Sequence, residues 1–165
     1  MSMRIFKNIL VGALALLGFL AGGAFAQVGP TATITVNATV NATCRFQTIT
    51  GTMTIANSGG VIDPALGTNA TGSIDLTYRC TTGTLPGFDI EGSTTFADPK
   101  IATVTLTGAG NLDAQITVAG SGAGTGMGGA GDKTATVSAL ITAANIDSAA
   151  VGAYSKNVLI TIQAQ

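Results

Sequence analysis

Histidine is missing from all 165 residues, and only two cysteines are present, Cys44 and Cys80. The first absence removes the Ser–His and Cys–His pairings that activate most protein nucleophiles. The two together leave nothing to complete a metal site around the sulfurs, because a structural site takes about four such ligands. Charge is scarce as well, with seven basic residues against eight acidic ones, 9% of the chain. There is no basic stripe for nucleic acid and no polybasic segment for an anionic membrane. Gly120–Gly131 holds seven glycines in twelve residues but lacks the Lys-Ser/Thr of a phosphate-binding loop, and it reads as a slack connection. Asp89 and Glu91 lie two apart and are expected on the exposed face of one strand, with nothing else converging on them. A paired-carboxylate hydrolase needs such convergence. The sequence therefore assigns no catalytic residue, no cofactor and no metal ligand.

What is present starts with a targeting segment. Arg4 and Lys7 precede an apolar run, Ile9–Leu20, and Ala24-Phe25-Ala26 offers a small-x-small cleavage site. These are the parts of a secretory signal peptide, residues 1–26, and the run is short for a transmembrane helix. No later segment is long and apolar enough to suggest a membrane span in the mature chain. The 139 residues that follow suit one domain. They carry five basic and eight acidic residues, a net charge of −3. In an oxidising compartment an even cysteine count reads as one disulfide, Cys44–Cys80. Asn37, Asn41 and Asn69 each open an Asn-Ala-Thr acceptor pattern for glycosylation, a match that arises easily in a threonine-rich chain.

Period-two alternation dominates the rest. In Thr31–Val40 the apolar residues are Ala32, Ile34, Val36, Ala38 and Val40, with Thr or Asn between them. An extended strand puts all five on one face and would run about 33 Å. Ala70–Cys80 repeats the pattern, with Ile74, Leu76, Tyr78 and Cys80 on one face, so Cys80 points inward. Cys44–Ala56 reads as a first strand broken at Gly51, and Asn57–Asn69 as a run of turns. Further strands are expected around Phe88 and Ile90, Ala102–Leu106, Leu112–Val118, Ala135–Ile141 and Val158–Ile162. Short strands with turn signals between them describe an all-β, antiparallel sandwich or barrel.

These features coincide with one family. A signal peptide is followed by an alternating strand leading into Cys44, then D-P-A-L-G-T-N-A-T-G-S-I-D-L-T-Y-R-C-T-T-G-T at Asp63–Thr84 and G-A-Y-S-K-N-V-L-I-T-I at Gly152–Ile162. The chain resembles the spore coat protein U domain, the subunit family of archaic chaperone–usher pili. It departs at Met53–Gly60, where the family carries an aromatic-Gly segment, and Glu91–Gly131 offers no motif that aligns. The resemblance implies an incomplete immunoglobulin-like sandwich over residues 44–165, lacking its last strand, behind a donor-strand extension at 27–43. It implies a periplasmic chaperone that fills the open groove, and an outer-membrane usher at which the N-terminal strand of the next subunit replaces it. Identical or related pilin subunits are then the partners, and the product is a cell-surface fimbrium serving adhesion or biofilm formation. On this likeness Ala32, Ile34, Val36, Ala38 and Val40 are the donor residues, and Val158, Ile160 and Ile162 line the acceptor groove. The residues alone leave a second pairing open. Asn41–Thr43 could turn the strand back onto its own domain, giving a self-complete secreted β-sandwich binding module.

Overall fold

The computed structural model describes residues 34–165; the expected signal peptide and Ala32 lie outside the described residues. The chain divides between Ala38 and Thr39, and the unit that carries all the secondary structure described below is Thr39–Gln165. Its strands are β1 (Cys44–Phe46), β2 (Ala70–Cys80), β3 (Pro86–Ile90), β4 (Lys100–Gly108), β5 (Asn111–Gly120), β6 (Lys133–Ile141), β7 (Tyr154–Ser155) and β8 (Ile160–Ala164). Every ladder is antiparallel. Six strands form one sheet in the order β1-β2-β6-β5-β4-β7, and β3 pairs with β8 in a second. The all-β expectation holds.

Alternation explains which way each strand faces. In β5, Leu112, Ala114, Ile116 and Val118 are buried while Asn111, Asp113 and Gln115 are exposed. In β6, Ala135, Val137, Ala139 and Ile141 are buried in the same way. Strand β3 departs from the pattern, because all five of its residues are buried. It pairs with β8 along one edge, and the chain after it folds back so that Phe88 and Ala97 exchange backbone hydrogen bonds of 2.9 and 3.0 Å. Phe88 then joins the two sheets. Its ring lies 6.1 Å from Phe46 of β1 and 5.8 Å, edge-on, from Tyr78 of β2, separations at which aromatic pairs attract beyond their buried area.

The first strand is shorter than its alternation predicts. The β1–β2 ladder stops at Phe46, and the chain up to Ile55 runs beside β2 outside any strand, until Ala56 bridges Thr71. A Cβ at Gly72 would run into the Thr54 carbonyl, so the two backbones approach too closely there for any larger residue. Asn57–Asn69 is turn structure, as its composition predicts. Asn57 ties it together, donating to the Asp63 carbonyl at 3.0 Å and accepting from the Asp63 N–H at 2.8 Å. One short helix, α1 (Ala143–Asp147), and the two-residue β7 have no counterpart in the periodicity, being shorter than the repeat that would reveal them.

Cys44 and Cys80 face each other in the β1–β2 register and are joined as a disulfide. Cys80 is fully buried, inward as the alternation requires, and Cys44 is partly exposed on the edge strand.

Candidate functional site

Among the described residues strand β8 has one partner, β3, and its register shows which backbone groups no described strand pairs with. Glu91 donates to the Leu159 carbonyl at 2.9 Å and Gln165 donates to the Leu85 carbonyl at 3.0 Å. In an antiparallel ladder the hydrogen-bonding residues alternate. Leu159, Thr161, Gln163 and Gln165 therefore turn their peptide groups to the β3 side. Ile160, Ile162 and Ala164 turn theirs to the opposite edge, where among the described residues no strand pairs with them. Three N–H and three C=O groups stand in a row there, and an unpaired row of this kind is a template for another strand.

The side chains behind that edge are apolar. Val158, Ile160, Ile162 and Ala164 are half-buried, whereas Leu159, Thr161 and Gln163 are exposed. Phe46, half-buried on β1, adds to the same wall through its stack on Phe88. Cα atoms of β1 and β8 come within 8 Å of one another, yet no ladder joins them. The family likeness names Val158, Ile160 and Ile162 as groove residues, and Phe46 and Ala164, which the sequence reading does not name, lie beside them. Both were within reach, since Phe46 shares the face of Cys44 and Ala164 continues the β8 alternation.

The mouth of this edge is polar. The Glu91 carboxylate accepts from the Leu159 N–H at 3.1 Å and sits 3.4 Å from the Lys156 ammonium. Glu91 has φ = 59° and closes the end of the β3–β8 ladder. Asp89 and Glu91 do not share an exposed face, contrary to the spacing argument. Asp89 is 3% exposed, beneath the turn that follows β3. The Ser93 hydroxyl donates to its carboxylate, and the Lys100 ammonium lies 3.9 Å away. Those contacts, the Ser93 hydrogen bond first, hold the Asp89 carboxyl below the usual carboxylate range. Lys100 is itself bound to Ser93 Oγ and to Thr95, so the cluster is internally satisfied.

The predicted donor residues present a different surface. Ile34, Val36 and Val40 are 82%, 86% and 85% exposed, Ala38 is exposed too, and residues 34–43 belong to no strand. Ile49 and Val151 are equally bare, at 86% and 102%, so what sets residues 34–40 apart is the period-two spacing of their apolar side chains. A shallow concavity of about 640 Å³ lies on the outer face of the main sheet among Thr71, Ser73, Gln115, Thr117 and Ser138. Another, of about 400 Å³, is lined by Val40, Ala42, Thr81, Thr84 and Met127. Among the described residues no three acidic or cysteine side chains gather as a metal set, and no helix is long and apolar enough to cross a membrane.

The glycine segment is not slack. The Gly124 N–H donates to the Thr84 carbonyl at 2.8 Å, Gly83 donates to the Gly124 carbonyl at 2.9 Å, and Gly126 donates to the Cys80 carbonyl at 3.1 Å. The buried Tyr78 hydroxyl donates to the Gly122 carbonyl at 2.7 Å, and burial pushes that phenol up from its ordinary range. Just beyond the segment, Asp132 pairs with Arg79, which also donates to the Met127 carbonyl at 3.3 Å. Comparisons of the chain with protein-family models, with curated proteins and with solved structures returned no match.

Proposed function

We propose that this protein is a structural subunit that polymerises by strand exchange. Residues 31–40 of one copy add to the free edge of β8 in the next, and Ile34, Val36, Ala38 and Val40 cover the apolar row behind it. The observation that carries the reading is the unpaired β8 edge, backed by half-buried Val158, Ile160, Ile162 and Ala164. An added strand satisfies the free peptide groups and removes apolar surface from water in one step. Each large aliphatic side chain it buries contributes about 1.5–3 kcal/mol.

The exposed apolar face of residues 34–40 is the matching half. It has the same period as β8, so alternate side chains of an added strand meet the wall while the threonines between them stay in water. In this proposal the domain is an immunoglobulin-like sandwich short of one strand. A subunit with so open an edge needs a temporary cover before assembly, the part that a periplasmic chaperone plays in the resembled pili. Assembly at an outer-membrane usher into a cell-surface fimbrium, serving adhesion or biofilm formation, belongs to the same proposal. Size-exclusion chromatography and electron microscopy of the exported chain test it. Fibres or soluble polymers are expected, and addition of a peptide of residues 31–40 should cap subunits and stop growth. A stable monomer indifferent to the peptide would favour the self-complete binding module instead.

A further inference from the structure

The glycine segment lies against Cys80, and its central anchors converge there, while Gly120 and Ser121 are held by Asp98 and Thr134. Gly124 is buried on Cys80 so closely that a Cβ at residue 124 would run into the Cys80 carbonyl and Cβ. Gly126 holds the Cys80 carbonyl, while Thr84 and Gly83, just past Cys80, hold both peptide groups of Gly124. Tyr78 holds the start of the segment and Arg79 its end, through the Met127 carbonyl and Asp132. Cys80 is 0% exposed, covered by the core on one side and by the segment over its carbonyl and Cβ on the other. Cys44 sits on the three-residue edge strand and keeps part of its surface.

We infer that Gly120–Gly131 is a strap that makes the disulfide one-sided: in the folded protein a small thiol of the glutathione class reaches the Cys44 sulfur and not that of Cys80. Thiol–disulfide exchange depends on which sulfur can be approached. The attacking thiolate forms its bond to Cys44 Sγ, the Cys44–Cys80 bond breaks, and its electron pair leaves on Cys80 Sγ. Cys80 then takes up the proton released when the attacking thiol ionised. The reverse step follows the same path, so Cys80 is the resolving thiol that closes the bridge and expels the small thiol from Cys44. The segment's glycines fit this use. Side chains would hold the strap off Cys80, and the peptide groups of Gly124 and Gly126 are what dock it. This inference does not depend on strand exchange.

Brief exposure of the exported protein to glutathione, an acid quench and peptide mapping would locate the first mixed disulfide. Glutathione on Cys44 is expected to exceed that on Cys80 by about tenfold or more under native conditions, access being what limits exchange. In urea the two should be nearly equal. Comparable native adducts on both cysteines would overturn the inference. Arg79→Ala releases the end of the strap without touching either cysteine, and Asp132→Asn removes the same ion pair from outside β2. In both variants the Cys80 share should rise several-fold as access opens, with the native far-ultraviolet circular dichroism retained. An unchanged Cys80 share in both would show that something other than the strap shields Cys80, and would also overturn the inference.

Discussion

Substituting aspartate at Val36 and, separately, at its neighbour Thr35 separates assembly from folding. Val36 is 86% exposed in the single chain and belongs to no strand. A surface change of that kind alters stability by about 0.5 kcal/mol or less. Val36→Asp should therefore leave the urea midpoint of the monomeric domain and its disulfide unchanged. In a polymer the same residue would face Val158, Ile160 and Ile162 of a neighbour. There the substitution forfeits about 1.5–3 kcal/mol of burial and places an unpaired carboxylate against an apolar wall, which costs several kcal/mol more. At about 1.4 kcal/mol per factor of ten, a combined loss of about 5 kcal/mol weakens each junction more than a thousandfold. Thr35 has the opposite parity, so an aspartate there stays in water and polymerisation should proceed nearly as in the parent protein. Light scattering of concentrated subunits, with electron microscopy of the products, reads the difference. Equal loss from both substitutions would refute the alternation argument. A lowered urea midpoint for the Val36→Asp monomer would place the strand in its own domain.

On the receiving side, Ile162→Asp should abolish a subunit's ability to accept a strand while its own residues 31–40 still cap other subunits, which a mixed chain-termination assay would show. Peptide mapping without reductant should recover Cys44 joined to Cys80, and Cys44→Ser should lower the folded domain's stability by about 2–5 kcal/mol in urea titration, part of it through the unfolded chain. Acid should weaken the domain in a defined direction. Asp89, held by the Ser93 hydroxyl, and Asp132, held by Arg79, both lie below the ordinary carboxylate range when folded. Their contribution is fully present above the unfolded value of about 4 and is lost as pH falls through the lower, folded values. The urea midpoint should accordingly drop below about pH 4, and less steeply in Asp89→Asn and Asp132→Asn.

The sequence by itself determined the class of fold and most of the strands. Period-two alternation is a local property, so Ala70–Cys80, the stretch from Ala102 to Leu106, Leu112–Val118 and Ala135–Ile141 all announced β2, β4, β5 and β6 with their inward faces correct. The disulfide was legible too, because two cysteines without histidine, in a chain whose opening residues read as an export signal, leave one chemistry for both. Non-local pairing was not. Nothing in Val158–Ile162 says that β8 lies beside β3 and that no other described strand pairs with Ile160, Ile162 and Ala164, since an edge is defined by its neighbours and not by its own residues. Asp89 looked exposed because its strand alternates, and only the returning turn that bridges Ala97 to Phe88 buries it. The glycine segment misled for a related reason. Its composition signals freedom, yet it is held by peptide groups meeting peptide groups, and those are identical at every residue and write no pattern in the sequence. Which backbone donor meets which acceptor is settled when the sheets close on Phe88, and that decision belongs to the tertiary structure.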